Sequence, residues 1–195
     1  GFISGGSGIA GMSNLSRDYL AYIIQNLAQL DAIADIVIVD TGAGIADAVL
    51  EFLVASGEIL LVTTPEPTSI TDSYSLLKAL TRHPRFSKEE SRIKVIANRV
   101  SKVEDGSTLF NKLNAVVSRY LKLPLTYLGA IPQDEKLSEA VMQQMPVSLQ
   151  NPSAKSAKCY EQLAAKLMNK ELNQDVKKRG MAAFFSHLVT GKKLG

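Results

Sequence analysis

EILLVT (Glu58–Thr63), a polar turn at Thr64-Pro65-Glu66-Pro67-Thr68, a helical stretch opening at Ser69 and RIKVIA (Arg92–Ala97) form the unit that decides the fold. The two apolar runs are nearly continuous in Ile, Leu and Val and do not strictly alternate. Such runs belong to strands covered on both faces, as in parallel sheets. Between them Ile70, Tyr74, Leu77 and Leu80 recur at helical spacing. Working outward, DIVIVD (Asp35–Asp40) and LTYLGAI (Leu125–Ile131) are runs of the same kind, and Phe2-Ile3 fits a further short strand. Ser16 suits the cap of a helix carrying Leu20, Ile23, Ile24, Leu27 and Leu30. Further helical patterns cover Asp47–Ala55, about Ser107 to Leu121, Asp134–Met142 and Ala154–Met168. The alternation predicts an α/β fold with a doubly wound, mostly parallel sheet and helices on both faces. Pro146 and Asn151-Pro152 mark turns, and Lys170–Gln174 reads as a hinge. The expected organisation is one domain over 1–172 and a tail helix over 173–195.

The 195 residues suffice for one domain with a substantial core. With 46% hydrophobic and 21% charged residues, neither disorder nor a disulfide scaffold fits. The single cysteine, Cys159, forbids an intrachain disulfide and suits a reducing compartment. No apolar run approaches the ~20 residues that span a bilayer. The net charge of +3 is uneven: residues from Asp175 onward carry +4, leaving −1 for residues 1–174. A near-neutral body argues against a bulk nucleic-acid surface, while the basic tail suits an anionic partner.

Open parallel sheets bind ligands beyond the carboxyl ends of their strands. The residues just after each run are therefore the candidates for a site. Thr41-Gly42-Ala43-Gly44 comes after the first, Thr64-Pro65-Glu66 after the second, Asn98-Arg99 after the third and Pro132-Gln133-Asp134 after the fourth. Polar, acidic and turn-forming groups thus collect at one end of the predicted sheet. Each is also an ordinary turn residue, and Asp134 is a natural N-cap for the helix after it.

VDTGAGI (Val39–Ile45), TTPEPTSITDSY (Thr63–Tyr74), ANRV (Ala97–Val100) and GAIPQD (Gly129–Asp134) resemble, in order and spacing, the MinD/ParA type of P-loop ATPase, in its flagellar site-determining (FlhG/YlxH-like) branch. ISGGSGIAGMSNLS (Ile3–Ser16) resembles the segment preceding the Walker B strand there, so the likeness covers roughly residues 2–170. The resemblance implies ATP and Mg²⁺ as cofactors. It implies that Asp40 is the Walker B carboxylate acting on Mg²⁺ through water, in keeping with the ion's preference for oxygen ligands and retained waters. Gly42 and Gly44 then lie in a loop that senses the γ-phosphate. Asn98 reads adenine, Arg99 adjoins it, and Pro132, Gln133 and Asp134 line the adenine and ribose pocket. Glu66 and Asp72 face the partner of an ATP-dependent homodimer. The other implied partners are a flagellar assembly GTPase and switch or regulator proteins, and the implied location is the cytoplasm, peripheral to the inner face of the cell membrane.

The pattern G-x-x-x-x-G-K-[ST] does not occur in the sequence. The likeness places that loop upstream of Gly1, so this stretch alone is expected to be inactive and to bind ATP weakly or not at all. Two shorter matches lead elsewhere. Gly6–Gly11 spells G-x-G-x-x-G, but the helix after it starts later than a dinucleotide site needs. Asp40-Thr41-Gly42 resembles an aspartic-protease triplet, but that chemistry needs two carboxylates on β scaffolds.

In the tail, Met181, Phe184, Phe185, Leu188 and Val189 form one helical stripe, flanked by Lys177, Lys178, Arg179, Lys192 and Lys193. This pattern predicts an in-plane anchor on an anionic membrane surface, or a helix docked on the protein's own body. Functionally the expectation is an ATP-dependent dimerisation and membrane switch that places flagella or division sites. The alternatives are a non-catalytic docking module and a ParA-type DNA-partitioning ATPase; the −1 charge of residues 1–174 speaks against the latter.

Overall fold

The computed structural model describes residues 33–89 and 92–171. The expected strand at Phe2-Ile3, the helix from Ser16 and the tail over 173–195 lie outside these residues. The described order is α1 (Asp47–Ala55), β1 (Ile59–Thr63), α2 (Pro67–Arg82), β2 (Ile93–Val100), α3 (Asp105–Tyr120), β3 (Leu125–Pro132), α4 (Glu135–Met142), α5 (Val147–Gln150) and α6 (Lys155–Glu171). The strands form one parallel sheet in the order β1-β2-β3. Helices cover both faces, and the α/β class expected from the sequence is what forms.

Alternation along the strands sorts the core into two layers. On one face Ile59, Leu61, Ile93 and Val95 meet Leu77 and Leu80 of α2 and Leu113 and Val117 of α3. That layer continues toward the strand ends, where Ala97, Val100 and Ala130 meet Leu109. On the other face Ile96, Leu128 and Ile131 pack on Cys159 and Leu163 of α6. A bulge makes this second layer possible. The β2–β3 register slips between Val95 and Ile96, so Leu128 is an extra residue and shares a face with Ile131. The Leu128 carbonyl released from regular pairing accepts from Lys166 Nζ at 3.0 Å.

Some boundaries differ from expectation. Helix α2 begins at Pro67 and not at Ser69, because proline is well suited to the first helical position. Helix α3 starts at Asp105, two residues before Ser107, and α6 runs through Glu171, past the start of the expected hinge at Lys170. The short α5 was not expected.

One correction is larger. Asp35–Asp40 forms no strand. Its side chains are exposed, Ile38 by 81%. An apolar run becomes a strand only when its N–H and C=O groups find a neighbour. Among the described residues β1 pairs with β2 alone. Leu60 and Val62 of β1 also look out on an uncovered face, with Val62 52% exposed. Asp40 therefore does not occupy a strand tip, as its sequence suggested.

Candidate functional site

The carboxyl ends of β1, β2 and β3 bring three of the four expected segments onto one rim, but β2 runs on through Val100 and β3 through Pro132, so Asn98 and Arg99 belong to a strand end and not to the loop after it. At the end of β1, Thr63 is fully buried and its hydroxyl lies 3.2 Å from Ser69 Oγ. The Thr64 N–H donates to the same Ser69 oxygen at 3.0 Å. Ser69 thus does not open α2; from the helix's first turn it ties the strand end down. Glu66 precedes Pro67 at the N-cap position without a side-chain cap bond. Its carboxylate instead accepts from Thr64 Oγ1 and reaches Arg99 of the next strand at 3.8 Å.

At the end of β2 the chain bulges. Arg99 has φ 56°, in the left-handed region that side chains with a Cβ disfavour. The register shift between Asn98 and Val100 makes Arg99 the extra residue. The Arg99 N–H donates to Asn98 Oδ1 at 3.0 Å, which leaves the Asn98 NH₂ as the group available to donate to a ligand. Asn98 is half-buried and Arg99 exposed.

The third segment is joined to the second. The Gln133 N–H donates to the Val100 carbonyl at 2.9 Å, so Asn98-Arg99 and Pro132-Gln133-Asp134 form one continuous ledge. Gln133 is exposed beyond Pro132. Asp134 is more occupied than the sequence indicated. Its Oδ1 caps α4 by accepting from the Lys136 N–H at 3.0 Å. Its Oδ2 accepts from both the N–H and the hydroxyl of Ser156, each at 2.9 Å. The Ser156 N–H, before any other influence, holds the Asp134 carboxyl below the usual carboxylate range, and the Lys136 N–H and Lys155 act in the same direction. Ser156 was not singled out by the sequence. It lies 22 residues downstream of Asp134 and carries no local signal of the contact.

The remaining candidates lie off the rim or outside the described residues. Gly42 and Gly44 sit in an exposed loop before α1, and Gly44 has φ 110°, a conformation that favours glycine. Asp72 is exposed on α2, consistent with a surface role. Met181, Phe184, Phe185, Leu188, Lys177, Lys178 and Arg179 lie outside the described residues.

Chemically the ledge offers side-chain amides from Asn98 and Gln133 and a guanidinium from Arg99. These groups suit the hydrogen-bonding edge of a base and the hydroxyls of a sugar. They supply no run of backbone N–H groups of the kind that cradles a triphosphate.

No protein-family model matches the chain. Among curated relatives, antiactivator FleN of Pseudomonas aeruginosa is 38% identical over 161 residues, covering 83% of this chain and 56% of the relative. The flagellum site-determining protein YlxH of Helicobacter pylori is 32% identical over 158 residues, covering 80% and 52%. The chloroplastic septum site-determining protein minD homolog of Arabidopsis thaliana is 26% identical over 157 residues, covering 77% and 46%. The chain thus spans about half the length of the curated relatives it matches. A ParA family ATPase structure from Chlorobium tepidum superposes with a TM-score of 0.58 at 24% identity, over 83% of this chain and 60% of that one, and so shares the fold. On these similarities the chain belongs to the MinD/ParA family.

Proposed function

We propose that the protein is an ATP-dependent switch, dimerising and attaching to membrane in its ATP state, that regulates where flagella or division sites are placed. The observation that carries this reading is the continuous ledge of Asn98, Arg99 and Gln133 at the carboxyl rim, built from two segments that the family likeness assigns to the adenosine moiety. A second support is the chain's likeness to FleN and YlxH over about four-fifths of its length.

In this reading the Asn98 NH₂ donates to a base nitrogen. Arg99 supplies a positive charge beside the ribose and phosphates, and Gln133 closes the pocket from the β3 side. Asp40, which stands outside the sheet, would hold Mg²⁺ through water, and the ion would supply charge neutralisation for phosphoryl transfer. Gly42 and Gly44 let the following loop move without steric cost. Glu66 and Asp72 belong to the dimer face. The tail, through Met181, Phe184, Phe185 and Leu188 with Lys177, Lys178 and Arg179, attaches to an anionic membrane surface. One copy attaches weakly and two attach strongly, which makes attachment depend on dimerisation. Partners of the flagellar assembly apparatus, including its GTPase, read the ATP state.

The test is nucleotide selectivity. Titration with fluorescent ADP and GDP is expected to favour ADP, and Asn98→Ala to weaken ADP about fivefold, the loss of one net hydrogen bond of ~1 kcal/mol. Equal affinity for both nucleotides, untouched by the substitution, would remove the adenine assignment.

A further inference from the structure

We infer that Asp134 serves the rim as a positioning residue, clamped by Ser156. The role in ligand binding rests on the nucleotide reading above; the clamp stands on its own geometry.

One carboxylate here caps two helices. Oδ1 receives the Lys136 N–H in the first turn of α4, and Oδ2 receives the N–H and Oγ of Ser156 in the first turn of α6. Three donors within 3.0 Å occupy most of the acceptor capacity of a carboxylate. One acceptor site on Oδ1 stays open, while Oδ2 is held by both donors of Ser156, which is fully buried. Backbone conformation agrees: Asp134 is extended at φ −144° and ψ 119°, as a capping residue should be.

The clamp has a direct consequence for its neighbour. Gln133 lies between two anchors, its own N–H on Val100 of β2 and the Asp134 carboxylate on α6. Helix α6 is itself immobilised on the sheet. Cys159 and Leu163 pack on Ile96, Leu128 and Ile131, and Lys166 bonds the Leu128 carbonyl. The position of Pro132-Gln133-Asp134 relative to Asn98 is therefore set from a helix that lies behind the sheet. Ser156 is the contact through which that setting passes.

The test uses the whole chain, with Ser156→Ala, which removes the hydroxyl and keeps the N–H bond, and Asp134→Asn, which removes the charge and keeps the size. Hydrogen exchange is read at the amides of Gln133 and Lys136 against those of β2, and binding is read with ADP. The clamp predicts about three- to tenfold faster exchange at Gln133 and Lys136 in both variants, with β2 unchanged, and an ADP dissociation constant raised by a similar factor. Unchanged exchange at these two amides would overturn the clamp. So would faster exchange spread uniformly over β2. Faster local exchange with unaltered ADP affinity would overturn the positioning role, since a merely structural cap moves stability alone. Should the unsubstituted chain bind no ADP, the positioning role falls, while the exchange comparison still decides the clamp.

Discussion

Gly106 allows the sharpest test of how the rim is held. It lies in the first turn of α3, buried where the helix crosses β2 and β3. A Cβ built there stands 2.5 Å from Ala130 Cβ and 3.3 Å from Ala97 Cβ, and overlaps Tyr127 Oη. Ordinary carbon contacts need about 3.5–4.0 Å, so the helix must back away by roughly 1 Å. Two of the obstructing atoms are Cβ atoms fixed to strand backbone and cannot rotate aside. Replacing a helical glycine by alanine otherwise stabilises by up to ~1 kcal/mol. Overpacking a close contact costs about 1–3 kcal/mol, more where the backbone must move. The overlap here exceeds one methyl's tolerance, so overpacking wins. Gly106→Ala is expected to destabilise by about 1–3 kcal/mol in urea unfolding followed by circular dichroism, with the slope unchanged. Adding Ala130→Gly removes one wall, and the double variant should recover at least ~1 kcal/mol relative to the sum of the single changes, whereas distant, independent sites add within about 0.5 kcal/mol. A Gly106→Ala variant as stable as the parent, or strict additivity of the pair, would refute the close approach. Since Ala97 precedes Asn98, the same variant should also weaken ADP binding.

Three further outcomes rest on particular contacts. Arg99→Gly relieves a left-handed backbone at about 1 kcal/mol and loses an ion pair whose side chains are 60% and 52% exposed, worth little in water; thermal unfolding should show no loss of stability while ADP binding weakens. Lys94 is buried on β2 and paired with Glu58, so Glu58→Ala strands a buried ammonium and should cost about 2–4 kcal/mol, whereas Lys94→Met should stay within about 1 kcal/mol of the parent in the same unfolding assay. Because the folded Asp134 carboxyl titrates below its unfolded value, its contribution is complete above the unfolded pKa, about 3.9, and is lost as pH falls through the lower folded one. The stability gap between the parent and Asp134→Asn should therefore be constant from neutral pH to about pH 5 and close in more acidic solution.

Much of the architecture could be read from local pattern. Periodicity in Ile59–Thr63, Ile93–Val100 and Leu125–Pro132 marks three strands, and the stretches between them carry helical spacing. The same pattern in Asp35–Asp40 misled, because nothing within that hexapeptide says whether a neighbouring strand will accept its hydrogen bonds. Asp134 was legible as an N-cap from the helix after it. Its second partner was not, because Ser156 reaches it only after the chain has folded through α4 and α5. The bulges at Leu128 and Arg99 were likewise silent, since a register slip is a property of two strands together.

The order of apolar runs and turn residues by itself determined the α/β class and put Asn98, Arg99, Gln133 and Asp134 at one end of the sheet. Side-chain period and turn chemistry are properties of a few consecutive residues, and parallel strands carry their loops to a common edge. Tertiary structure alone decided which of those groups remain free to meet a ligand. It committed Asp134 to two helix caps, turned Asn98 Oδ1 toward the Arg99 N–H and left Asp40 outside the sheet. The Ser156 contact spans 22 residues, and the Asn98 contact sits at a left-handed residue beside a register slip between two strands, so only the folded chain shows either.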